Sequence, residues 1–243
     1  MGLNQIYGIN NFQGVILTGQ GKDLISAEAS GTDQAFGIFN DGGDSLINTG
    51  SGDDEILGEV NDSIGLQDSG FIAGIYREFG FINTGKGADL VRGTATASNS
   101  ELPEGGQVAG INSFGKNFQR PFDIQLGAGD DQLMGSAISF GPQDTAGIVT
   151  QGLFGNQIIN LGTGNDFVEG FGQSSGGFLT GGIALFATDL VSASGNNKVL
   201  GIAGGGSAFN SGIALDSDSV IELNPVMISL LESLLAGLKT MRA

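Results

Sequence analysis

The sequence predicts an all-β fold, a parallel β-helix or β-solenoid of about seven coils with a C-terminal capping α-helix. Three observations carry that expectation: two interleaved repeat markers, period-2 alternation between them, and a change to helical spacing at the end. The first marker is Gly-Ile, at Gly8-Ile9, Gly37-Ile38, Gly74-Ile75, Gly110-Ile111, Gly147-Ile148, Gly182-Ile183 and Gly212-Ile213. The second falls between these as TGQGKDLI (18–25), TGSGDDEI (49–56), TGKGADLV (84–91), LGAGDDQL (126–133) and LGTGNDFV (161–168). A sixth copy, ASGNNKV (193–199), has Asn197 where the others have Asp. Two markers sharing one period of about 35 residues define a repeat architecture.

Each unit divides into short strands. One runs through Gly-Ile, as in Ala35–Phe39; a second precedes the corner, as in Ser45–Asn48; a third follows it, as in Glu55–Gly58. Apolar residues alternate with small or polar ones, the pattern of half-buried strands. No helical pattern separates the strands, so crossover helices are excluded and stacked coils remain. At ~4.8 Å per coil the rod is roughly 34 Å long. Stacking puts Ile38, Ile75, Ile111, Ile148 and Ile183 in one ladder and Ile56, Val91, Leu133 and Val168 in another, so stability comes from neighbouring coils.

The solenoid domain spans 1–223, and 224–243 forms a separate amphipathic element. Asn224-Pro225 reads as a helix start, and Met227, Leu230, Leu231, Leu234, Leu235 and Leu238 follow at helical spacing. Lys239 and Arg242 complement its C-terminal dipole. Such a helix caps the exposed last coil or serves self-association. Two segments lengthen the period, 94–107 and 113–121. As loops on a rigid scaffold they are candidate binding elements.

Composition narrows the functions. The 243 residues hold 45 glycines, no Cys and no His. This removes disulfides, thiol nucleophiles, imidazole bases and the usual zinc sites. Acidic residues number 26 against 9 basic, a net charge of −17. Nucleic acid is an unlikely partner for such a surface, whereas cations complement it. No apolar run reaches membrane-spanning length, and Met1–Gly14 does not read as a cleaved signal.

In G-x-G-x-D the glycines allow positive φ and the Asp supplies a hard oxygen. Calcium takes six to eight such oxygens from carboxylates and carbonyls. Two corners stacked in adjacent coils could sandwich an ion and neutralise the column Asp54, Asp89, Asp131 and Asp166, to which Asp53 and Asp130 add charge. The alternative is a tight corner in which each Asp bonds to neighbouring backbone amides.

These segments resemble the RTX (hemolysin-type) calcium-binding repeat, G-G-x-G-x-D-x-U-x, in a style common in cyanobacteria but with long coils. Gly50, Gly52, Asp54 and Ile56 match its second, fourth, sixth and eighth positions. So do Gly85, Gly87, Asp89 and Val91; Gly127, Gly129, Asp131 and Leu133; and Gly162, Gly164, Asp166 and Val168. Gly19, Gly21, Asp23 and Ile25 form the first copy. The family's leading Gly is Thr18, Thr49, Thr84, Leu126 or Leu161 here, and the motif occurs once per coil rather than in tandem. The resemblance implies a non-enzymatic, calcium-associated structural or adhesive protein. It also implies an extracellular or cell-surface location, reached through an uncleaved C-terminal signal; a cytoplasmic location is the other possibility. Its expected metal residues are Asp23, Gly50, Gly52, Asp53, Asp54, Gly85, Gly87, Asp89, Gly127, Gly129, Asp130, Asp131, Gly162, Gly164 and Asp166. Two other readings stand beside it. One is a polysaccharide-acting β-helix enzyme, with the frame-breaking Glu101, Glu104, Lys116 and Arg120 as candidates. The other is a metal-independent scaffold that assembles with itself.

Overall fold

The structure is a computed structural model. It describes residues 5–31, 34–63, 71–98, 106–115, 122–141, 143–152, 155–206, 208–223 and 233–235. Every described element is a strand. The 21 strands form three parallel sheets of seven. The first sheet holds β1 (Gln5–Phe12), β4 (Gln34–Asp41), β7 (Phe71–Glu78), β10 (Gln107–Phe114), β13 (Asp144–Gln151), β16 (Leu179–Phe186) and β19 (Phe209–Leu215). The second holds β2 (Val15–Gln20), β5 (Leu46–Ser51), β8 (Phe81–Lys86), β11 (Ile124–Ala128), β14 (Gln157–Asn160), β17 (Thr188–Ser192) and β20 (Val220–Leu223). The third holds β3 (Leu24–Ala29), β6 (Glu55–Ser63), β9 (Leu90–Ala97), β12 (Gln132–Ser139), β15 (Phe167–Ser174), β18 (Lys198–Gly205) and β21 (Ser233–Leu235). The chain visits the sheets in turn, which makes a β-solenoid. Complete G-x-G-x-D corners join the second sheet to the third at five places.

Both expected ladders exist. Ile38 pairs with Ile75, Ile75 with Ile111, Ile111 with Ile148 and Ile148 with Ile183. Ile56 pairs with Val91, Val91 with Leu133 and Leu133 with Val168. With Ile47, Ile82, Ile124 and Ile159 of the second sheet they fill the main core. Each buried Ile contributes ~1.5–3 kcal/mol of transfer free energy.

A glycine seam explains the Gly-Ile marker. A Cβ on Gly110 in the first sheet would overlap the backbone of Gly135 and Ser136 in the third. One on Gly135 would overlap Gly147 O, and one on Gly147 the backbone of Gly170 and Phe171. The pattern continues through Gly182, Gly201 and Gly212. The two sheets touch main chain to main chain along this line, which no residue with a side chain permits. The seam divides the interior. The Ile-rich core lies on one side; a smaller core of Ala35, Ile72, Val108, Val60, Ala95 and Ala137 lies on the other.

Two expectations need correction. Where the segment 224–243 is described, it is a strand rather than a helix: β21 pairs in parallel with Ile202–Gly204 of β18. The open edge of the third sheet offers unpaired N–H and C=O groups, and satisfying them outweighs local helical spacing. Residues 224–232 and 236–243 lie outside the described residues. The long connections are also narrower than 94–107 and 113–121 suggested. Thr94–Ala97 completes β9, and Ser113 and Phe114 complete β10.

Candidate functional site

The five corners stack so that each one completes the next. Gly50 and Gly52 adopt φ of +96° and +135°, a region that favours glycine. Their Cβ atoms would collide with Gly19 O and Gly21 O of the preceding coil. The corner is therefore glycine for two reasons, backbone conformation and coil-to-coil contact.

The Asp side chains bond to main chain. Asp54 Oδ1 accepts the Asp23 N–H at 2.8 Å, and Asp89 Oδ1 accepts the Asp54 N–H at 2.8 Å. Asp131 Oδ1 accepts the Asp89 N–H at 2.8 Å, and Asp166 Oδ1 the Asp131 N–H at 3.1 Å. Asn197 Oδ1 ends the column by accepting the Asp166 N–H at 2.8 Å. One residue earlier, a second column runs the opposite way. The Ala88 N–H donates back to Asp53 Oδ1 at 2.9 Å, the Asn165 N–H to Asp130 Oδ1 at 2.8 Å, and the Asn196 N–H to Asn165 Oδ1 at 3.0 Å. The inner column is buried and the outer one faces solvent.

Main-chain oxygens are engaged along the same axis. Carbonyls of Ser51, Lys86, Ala128, Thr163 and Ser194 accept the N–H of Gly21, Gly52, Gly87, Gly129 and Gly164, at 2.7 to 3.1 Å. Those of Asp23, Asp54, Asp89, Asp131 and Asp166 accept the N–H of Glu55, Leu90, Gln132, Phe167 and Lys198. Gly127 O and Gly162 O accept from Thr163 and Ala193.

One atom per Asp is left over. Oδ2 of Asp23, Asp54, Asp89, Asp131 and Asp166 is buried and has no hydrogen-bond partner. The residue five positions earlier differs among the corners. Thr18, Thr49 and Thr84 stand before Asp23, Asp54 and Asp89, and their hydroxyls donate to carbonyls of the next coil. Leu126 and Leu161 stand before Asp131 and Asp166. Burial raises all three of Asp89, Asp131 and Asp166. The Thr84 hydroxyl and the Asp54 N–H moderate Asp89. Asp131 reaches about 7 and Asp166 about 6, with neighbouring carboxylates adding to the rise. At Asn197 an amide replaces the carboxyl, and its Nδ2 donates to Ser192 Oγ at 2.7 Å.

The corner residues named from sequence are thus brought together, with most of their oxygens engaged and one Oδ2 per corner left over. The carboxylate Oδ1 atoms and the corner carbonyls already hold N–H groups. The free Oδ2 atoms lie one per coil, and no three carboxylates converge among the described residues. A six- to eight-oxygen ion shell here would draw on carbonyls that already hold an N–H. The enzyme candidates Glu101, Glu104, Lys116 and Arg120 lie outside the described residues.

Sequence reasoning missed a second buried site, at the turn from the first sheet to the second. Arg77 is fully buried. Its Nε donates to Ser113 Oγ at 2.7 Å, and its Nη1 donates to Gly80 O at 2.7 Å and Asp123 Oδ1 at 3.0 Å. Its Nη2 donates to Gln157 Oε1 at 2.8 Å and to Gly115 O. Asp123 Oδ2 accepts the Ile158 N–H at 2.8 Å. The cluster staples three successive coils. The signal was present: Arg77 breaks an inward column of Asn11, Asn40, Ser113 and Thr150.

No protein-family model, no characterised protein and no solved structure matches the chain.

Proposed function

We propose that the chain is a non-enzymatic structural rod of about seven coils, counting incomplete ends, whose corners are held by the protein's own hydrogen bonds. The carrying observation is the pair of opposed side-chain columns. The residues best suited to chemistry, Asp54, Asp89, Asp131 and Asp166, spend one oxygen each on joining coil to coil. A ladder of this kind makes a stiff spacer or a display surface, and the acidic, Cys-free composition suits an extracellular or cell-surface setting.

The unpartnered Oδ2 atoms favour a second reading, the calcium-associated rod that the RTX resemblance implies. A melting experiment separates the two. In the first reading, 1 mM EDTA and 5 mM calcium give the same melting temperature within about 1 °C. A calcium-dependent rise of about 5 °C or more, abolished by Asp89→Asn with Asp131→Asn, overturns it. The comparison rests on linkage: a ligand at 100 times its Kd stabilises the folded state by about 2.7 kcal/mol.

A further inference from the structure

On the solvent face of the third sheet a cavity of about 210 Å³ is lined by Arg92, Met134, Gly135, Ser136, Glu169 and Phe171. Its ends carry opposite charges. Arg92 pairs in register with Met134, and Met134 with Glu169, so the three occupy one column on consecutive strands. Two strand spacings of ~4.8 Å put the Arg92 and Glu169 backbones ~9.6 Å apart. The rest of that column is uncharged, with Ser26 and Leu57 before Arg92 and Leu200 after Glu169.

The two charges do not satisfy one another. Among the described residues the ion pairs are Lys22–Glu55 and Arg77–Asp123. Neither Arg92 nor Glu169 has a hydrogen-bond partner there. Met134 lies between them in the column, and Ser136 and Phe171, paired with each other two residues further along their strands, complete the lining with Gly135. Gly135 is glycine because a Cβ there would point inward onto Gly147 O.

From these observations we propose that this cavity binds a short zwitterionic peptide with apolar side chains, a dipeptide in size. Arg92 takes the terminal carboxylate through its two-pronged guanidinium. Glu169 takes the terminal ammonium. Met134 and Phe171 cover the apolar side chains, as in small-molecule sites where a few polar groups orient a largely apolar ligand. Two extended residues span ~7 Å, less than the ~9.6 Å between the two backbones, so a dipeptide fits between the Arg92 and Glu169 positions and their long side chains turn to meet its ends. Charge complementarity selects this occupant. An anion alone meets Glu169, a cation alone meets Arg92, and only a ligand bearing both charges satisfies both ends.

The test is calorimetric titration of the full chain with leucyl-leucine, and with N-acetyl-leucyl-leucinamide, which has the same side chains but no end charges. The proposal expects one-to-one binding of the free dipeptide, and at least tenfold weaker binding of the blocked one. Arg92→Gln and Glu169→Gln should each weaken leucyl-leucine at least tenfold without moving the melting temperature by more than about 2 °C. No binding of leucyl-leucine overturns the proposal. So does equal binding of the blocked peptide, which uses the unmodified protein and so does not depend on any variant folding. The structural-rod reading stands or falls separately, on the calcium comparison.

Discussion

Asp131 Oδ1 accepts the backbone N–H of Asp89, one coil earlier, at 2.8 Å, while Asp131 Oδ2 is buried and accepts nothing. One half of the carboxyl group holds the solenoid together and the other half resists being charged. This opposition gives the molecule a measurable pH dependence.

Burial lifts Asp131 to about 7 and Asp166 to about 6, from an ordinary 3.8, and their carboxylate neighbours Asp89 and Asp130 add to the rise. Raised values mean that the folded chain holds protons the unfolded chain releases. That stabilisation is fully present below about pH 4 and is lost as pH rises through 6 to 7. The melting temperature should therefore be several degrees higher at pH 5 than at pH 8, with each kcal/mol moving it by ~2–4 °C in a chain of this size. Asp131→Asn with Asp166→Asn should flatten the slope, whereas Asp53→Asn with Asp130→Asn, on the solvent side, should reduce it only in part, because burial is the larger cause of the rise. An unchanged slope in the first double variant would remove the buried column as its source.

Gly19 and Gly127 share a φ of +109° but not their surroundings. A Cβ at Gly19, in the first copy, meets nothing within 4 Å; at Gly127 it overlaps Gly85 O. Gly19→Ala should cost ~1–2 kcal/mol, the strain of a left-handed conformation. Gly127→Ala should add ~1–3 kcal/mol for overpacking against immovable backbone. Urea unfolding of the two variants measures the difference. Equal losses would mean that stacking does not require glycine here.

Arg77 donates to five oxygens across three coils, a task for a planar fork. Arg77→Lys keeps the charge but not the fork, and leaves several of these buried acceptors unsatisfied. It should cost ~3–5 kcal/mol, about as much as breaking a buried ion pair outright. Arg77→Met removes the buried charge that faces Asp123, with a similar loss. A lysine variant as stable as the parent, by urea unfolding, would show that the network tolerates fewer donors.

The solenoid was legible because its signal repeats: Ile38 and Ile75 occupy the same place in successive copies, and so do Asp54 and Asp89. What stayed hidden depends on contacts between different sheets. Gly110 is spaced like a strand residue, and only the approach of Gly135 from the third sheet explains it. The direction of the Asp bonds was also unreadable. Spacing stacks Asp54 on Asp89, but whether the oxygens face an ion or a neighbouring N–H depends on local dihedrals. At the C-terminus, Leu230 to Leu238 suit a helix by themselves, while β21 answers to an edge 31 residues earlier in the chain, as in the pairing of Ser233 with Ile202.

The opposed directions of the two corner columns carry one more implication. In the buried column each interior corner gives an N–H forward and receives one from behind, while the solvent-facing column runs the other way and breaks at Ala88, which has no side-chain acceptor. Removing or duplicating one whole repeat leaves the same buried-column bonds on either side of the cut. Recombination between repeats can therefore lengthen or shorten the molecule while keeping that column intact, except across the three coils that Arg77 ties together.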